Sequence, residues 1–124
     1  IEASKFFKGM FETALKKGEL IESIEFEIPE KSSYQKYPNP ASRYAVVGVY
    51  VAKHKSGVNV AVTGAKSCVY NDKDLAKALQ SSFSSNSISG IEVSSSDMNS
   101  DIHASAEYRA SLVVTQAKKA VEAC

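Results

Sequence analysis

The residues able to do chemistry in this chain gather in three places. Lys36 stands among Tyr34, Tyr37, Pro38 and Pro40. The prolines stiffen Tyr37-Pro38-Asn39-Pro40 into an extended loop. An ammonium beside aromatics on such a loop could meet an anionic or flavin-like ligand; the plainer reading is a solvated lysine on an edge strand. Arg43 precedes a strongly apolar run and could pair with Glu25, with Glu27 or with a partner. The run Ser100-Asp101-Ile102-His103-Ala104-Ser105-Ala106-Glu107-Tyr108-Arg109 brings Asp, His, Glu, Tyr and Arg close together. Asp101 or Ser100 has the place of an N-cap, with His103 in the first helical turn after it. Glu107 and Arg109 are two apart and so point to different sides of a helix. Capping and interface contacts account for this run better than a catalytic site does.

Other chemistry is missing. His54 and His103 lie far apart, and no His–carboxylate pair has metal-ligand spacing. Gly9, Gly18, Gly48, Gly57, Gly64 and Gly90 never cluster as a phosphate cradle needs. No serine sits in a nucleophile elbow. Cys68 and Cys124 make neither a disulfide framework nor a zinc site. They read as a buried thiol and an exposed terminal one in a reducing cytoplasm. The chain by itself is not expected to be a complete enzyme.

The element that must position these groups is the stretch Ala41 to Ala65. Two Val-rich runs, Tyr44 to Ala52 and Val58 to Val62, flank Lys53-His54-Lys55-Ser56-Gly57. This predicts a β-hairpin. Both faces of the first run are apolar, which marks a central strand. Around it, Ile24, Phe26 and Ile28 alternate with Glu25 and Glu27, predicting a half-buried strand over Glu19 to Ile28 that ends at Pro29. A polar turn over Glu30 to Ser33 leads to a short strand over Tyr34 to Tyr37, and Cys68 to Tyr70 extends one more. Met10 to Lys17 allows a short amphipathic helix. Asp74 to Ser81 reads as a helix capped by Asn71 or Asp72. The Ser-rich stretch 81–100 reads as a loop with a turn of helix, anchored by Phe83, Ile88, Ile91, Val93 and Met98. In the last helix Ala106, Ala110, Val113, Ala117 and Val121 form one stripe, widened by Leu112 and Ala120. Strands first and helices last argue an α+β fold: an antiparallel sheet of three to four strands with about three helices on one face.

The 124 residues suffice for one domain with a modest core. A net charge of +1 gives no general attraction to nucleic acid or to a membrane surface. No apolar run approaches the roughly 20 residues of a membrane span. The first residue is Ile1 rather than Met, so the chain reads as a piece of a longer polypeptide.

Several stretches, in order, carry a resemblance: Phe6-Phe7-Lys8-Gly9-Met10-Phe11-Glu12-Thr13-Ala14-Leu15, Gly18-Glu19-Leu20-Ile21, Tyr34-Gln35-Lys36-Tyr37, Pro40-Ala41-Ser42-Arg43-Tyr44-Ala45, Val60-Ala61-Val62-Thr63-Gly64-Ala65, and the run from Ser100 to Arg109. Together they cover nearly the whole chain. It resembles the C-terminal part of the FAD-binding medium subunit of carbon monoxide dehydrogenase and related molybdenum hydroxylases, the xanthine dehydrogenase family. The resemblance implies a tail of the preceding FAD-binding domain, or a connecting segment, over 1–17, and the flavoprotein's C-terminal domain over 18–124. It implies FAD as cofactor, and as partners that preceding domain, an iron–sulfur small subunit and a molybdopterin large subunit. Electrons would pass from iron–sulfur clusters to an external acceptor. Most flavin contacts would lie in Gly-rich segments outside this chain. Within it, the family's contacts fall on Ile21 and Lys36. Relatives carry basic residues shortly after that lysine; Pro38, Asn39 and Pro40 stand there instead. The alternative is a free-standing interaction module of the same fold, using Phe6, Phe7 and Phe11 as a partner surface.

Overall fold

A computed structural model describes all residues, Ile1–Cys124. The expected hairpin is its centre. Strand β4 (Ala45–Lys53) pairs antiparallel with β5 (Val58–Thr63), with Val49 opposite Val62 and Val51 opposite Val60. Four residues, His54–Gly57, close the loop, with His54 N–H donating to Gly57 O at 2.8 Å. Strand β3 (Lys31–Pro38) pairs with the other side of β4, and the short β6 (Tyr70–Asn71) pairs with β5. The sheet order is β3-β4-β5-β6, all antiparallel.

The period-two reading of β4 holds. Val47, Val49 and Val51 are fully buried, as are Val60 and Val62 of β5. They meet Leu75 and Leu79 of helix α2 (Lys73–Ser81) and Leu112, Val113, Ala117, Ala120 and Val121 of helix α3 (Ala106–Glu122). A 3-10 turn, Ser85–Ile88, puts Ile88 into the same core. So the Ser-rich stretch is pinned down, as its spaced apolar residues imply. The architecture is α+β, with the helices on one face of an antiparallel sheet. Asp72 caps α2 by accepting Leu75 N–H at 3.0 Å.

Four expectations need correction. Helix α3 starts at Ala106, not near Asp101: Ser105 is the N-cap and accepts Tyr108 N–H at 3.2 Å. His103 therefore lies in the preceding loop. Strand β3 begins at Lys31, because the ladder with β4 runs out to Lys53 and carries Lys31, Ser32 and Ser33 with it. Met10 to Lys17 is no helix. Phe11, at φ 58°, turns the chain between two short strands, β1 (Phe7–Gly9) and β2 (Glu12–Thr13), after a helical turn α1 (Ala3–Phe6). Eight residues are too few for a helix to stand without packing. Finally, Glu19 to Ile28 forms no strand. From Leu20 to Pro29 no backbone hydrogen bond is made, and Leu20, Ile24, Phe26 and Ile28 are 80%, 77%, 80% and 85% exposed. The alternating pattern is real, but no strand lies beside it to complete a ladder. The first buried residue of the chain is Asn39.

Candidate functional site

The Asp101–Arg109 run meets the Pro-Asn-Pro turn at one cleft, at the end of the sheet where β3 turns into β4; Lys36 and Arg43 do not line it. Pro-Asn-Pro shapes the turn. The Asn39 side-chain carbonyl accepts the N–H groups of Ala41 (2.9 Å) and Ser42 (3.2 Å), and its backbone N–H donates to Tyr44 O at 2.7 Å. Local bonding of this kind is what asparagine favours in turns. It leaves Arg43 in the left-handed region at φ 63°. Arg43 makes no ion pair; instead its carbonyl accepts the Lys36 ammonium at 3.0 Å. Glu25 has no charged partner, and Glu27 lies 3.7 Å from His54.

Opposite this turn lies Arg109, on the first turns of α3 and only 4% exposed. Its Nη1 donates to Val46 O at 2.6 Å and to Gly64 O at 3.1 Å, and its Nη2 to Asp101 Oδ2 at 2.7 Å. Its Nε–H is buried without a partner. One guanidinium thus ties the start of α3 to the start of β4, the end of β5 and the loop before the helix. Gly64 makes this possible. It sits at φ +81°, and a Cβ there would lie 2.5 Å from Ala45 O and 2.7 Å from Val46 O. The other oxygen of Asp101 accepts the N–H groups of His103 (2.9 Å) and Ala104 (3.0 Å). The His103 N–H above all, with Ala104 and Arg109, holds the Asp101 carboxyl below the usual carboxylate range, against a contrary push from desolvation. The cleft between these groups measures about 310 Å³ and is lined by Asn39, Ser42, Tyr44, Val46, Gly64, Asp101, His103 and Arg109 among others.

Lys36 lies on the sheet's outer face, opposite Gly48 in the β3–β4 ladder. Tyr34, two residues back, lays its ring over that glycine; a Cβ on Gly48 would collide with the Tyr34 hydroxyl. Tyr34 and Tyr50 are direct cross-strand neighbours and both are partly exposed. The result is an outer face with two aromatic rings, one of them covering Gly48, and an ammonium at its edge. One of three ammonium N–H donors is used by Arg43 O, so two are free. Ile21 is half-exposed, within the stretch that makes no backbone hydrogen bond. Asp101 and Arg109 form a pair that the two-apart spacing of Glu107 and Arg109 did not suggest. Buried Arg109 and Gln116 sit on α3's inward stripe, and the apolar-only reading of that stripe passed over both.

No group of His, Cys, Asp or Glu is placed to hold a metal ion. Both cysteines are free and partly exposed. No helix is long and apolar enough to cross a membrane.

Comparison with solved structures places this architecture. A chain of reconstituted CO dehydrogenase from Oligotropha carboxidovorans superposes with a TM-score of 0.77 at 19% identity, over 96% of this chain and 46% of that one. The fold is that of part of a CO dehydrogenase chain. A chain of Cu,Mo-CO dehydrogenase in its cyanide-inactivated form gives a TM-score of 0.72 at 19% identity, with the same coverage. This chain therefore spans less than half the length of these neighbours. No protein-family profile and no curated protein matches it.

Proposed function

We propose that the chain is the C-terminal domain of the FAD-carrying subunit of a molybdenum hydroxylase. It would cover one side of the flavin and dock partner subunits, and would not be catalytic alone. The observation that carries this reading is the shared fold over 96% of the chain with CO dehydrogenase. The outer face of the sheet supports it: the partly exposed rings of Tyr34 and Tyr50 and an ammonium with free donors. These residues fit one edge contact to a flat, electron-accepting ring. They do not fit a whole cofactor site, because nothing here cradles a pyrophosphate. In this reading Lys36 and Ile21 touch FAD, and the rest of its site lies in the preceding FAD-binding domain. Residues 1–17 form the joint to that domain, and an iron–sulfur small subunit and a molybdopterin large subunit complete the assembly. Bound FAD supplies the electron relay. Lys36 places a positive charge beside it, favouring the reduced ring, which carries more negative charge.

The test is Lys36→Met in the complete subunit, read by flavin midpoint potential and by flavin stoichiometry. The expected result is a lower potential with flavin still bound. An unchanged potential removes Lys36 from the site. One observation favours a second reading, a stand-alone interaction module: Phe7, Met10 and Phe11 are 45%, 60% and 103% exposed. Full affinity for FAD in the isolated chain would exclude the severed-domain account, whereas no FAD binding even by the complete polypeptide would favour the module.

A further inference from the structure

We infer that the cleft between Asn39 and Arg109 binds a small oxyanion, a carboxylate or a phosphate, through hydrogen-bond donors that the fold leaves unused. Asn39 lines the cleft and is only 9% exposed. Its Oδ1 is committed to the turn, accepting Ala41 N–H at 2.9 Å and Ser42 N–H at 3.2 Å. Those two bonds fix which way the amide faces. Its Nδ2 therefore points away from them, with two donors that bond nothing in the chain. Ser42 Oγ accepts Tyr44 N–H at 3.3 Å, which leaves its own hydrogen to donate. Arg109 has five N–H donors, and its bonds to Val46 O, Gly64 O and Asp101 Oδ2 claim three of them. The Nε–H is one of those left over. Unused donors on three side chains around one cleft call for a ligand made of acceptors.

The acceptors beside them are already taken. Asp101 is the one acid that lines the cleft. Its Oδ2 is bonded by Arg109 at 2.7 Å, and its Oδ1 by the N–H groups of His103 and Ala104. The carbonyls of Val46 and Gly64 are covered by the same guanidinium. A ligand that brought donors or a positive charge would find these groups occupied.

Charge and size agree with an anion. Arg109 and Asp101 offset each other, whereas Arg43, in the turn itself, has no acid within ion-pair distance. The surroundings therefore keep a positive surplus, and hydrogen bonds to an ionised acceptor are the stronger kind. His103 also lines the cleft, and its ring makes no hydrogen bond, so it offers a further N–H. A volume of about 310 Å³ is at the small end of ligand cavities. It suits a small acid rather than a dinucleotide.

Proton–nitrogen NMR tests this, on the intact chain and on the complete subunit. Sodium acetate and sodium phosphate are titrated separately, against sodium chloride at matched ionic strength. The expected result is that the Asn39 side-chain amide and the Arg109 Nε–H signals move together and saturate with at least one of the two anions. Which anion does so tells a carboxylate site from a phosphate site. Asn39→Asp keeps the oxygen that builds the turn and replaces the free donors by a carboxylate oxygen, so affinity should fall roughly tenfold or more. Ser42→Ala removes a single donor and should weaken binding several-fold, which keeps the test alive if Asn39→Asp does not fold. Shifts no larger than those with chloride, shifts that never saturate, or variants that bind as well as the parent would overturn the inference. So would a complete subunit that binds neither anion, because the preceding domain would then fill the cleft. Lys36 does not line the cleft, so none of these outcomes bears on the flavin reading.

Discussion

Replacing Arg109 by methionine keeps the length and apolar stem of the side chain and removes its charge and donors. The buried carbonyls of Val46 and Gly64 then lose the partners they have at 2.6 and 3.1 Å. Bonds from a charged donor are worth about 1.5–3 kcal/mol each, so two give roughly 3–6 kcal/mol. The cleft beside them admits water, which recovers part, and Asn99 Nδ2 still reaches Gly64 O at 3.2 Å. The expected loss is therefore near the lower bound, about 3 kcal/mol. Against a total of roughly 5–15 kcal/mol for a domain, that is severe. The melting temperature should fall by on the order of 10 °C. The chain has no Trp, so urea unfolding followed by far-ultraviolet circular dichroism is the assay. The midpoint should drop with an unchanged slope. Arg109→Lys should fall between, because one ammonium cannot span acceptors on three segments. A loss under about 0.5 kcal/mol for Arg109→Met would refute the view that this residue pins the cleft, since that is the scale of ordinary surface changes.

Three further outcomes are expected. The Asp101 carboxyl is held below its ordinary 3.8 in the folded chain, so its contribution is present above that pH and lost as pH falls through the lowered value; a pH series of urea midpoints should show this acid loss, and Asp101→Asn should flatten it. Gly64→Ala should be poorly tolerated, because its Cβ meets two backbone carbonyls at a positive φ, whereas Gly48→Ala meets first the far end of Tyr34 and should cost much less; paired melting curves compare them. Ser105→Ala removes the cap of α3 and should cost about 1 kcal/mol by urea titration, where an unaltered midpoint would argue that Asp101 does the capping after all.

How much could be read in advance depended on where the deciding interaction lies. The β4–β5 hairpin was legible because its valines alternate about a loop closed by Gly57, and both signals are local. The apolar stripe of α3 was legible for the same reason. Its start was not: Asp101 and Ser105 are both good caps, and the choice turns on Arg109, eight residues on in sequence and placed only by the fold. The extent of β3 was hidden because Lys31, Ser32 and Ser33 resemble a turn until β4 lies beside them. Leu20 to Ile28 shows the converse, a strand pattern whose partner this fold does not provide. For the site, the Pro-Asn-Pro turn was visible, but nothing local could tell that Lys36 would bond the Arg43 carbonyl.

The most direct test of the central claim is to sequence the coding region ahead of the Ile1 codon. The account predicts an open frame of roughly 150 further residues, the size of one more domain, carrying Gly-rich phosphate-binding segments. The matched stretch is less than half of each CO dehydrogenase neighbour, which leaves that much to be supplied. A start codon immediately before Ile1 would contradict it, leaving no room for the rest of a flavin site.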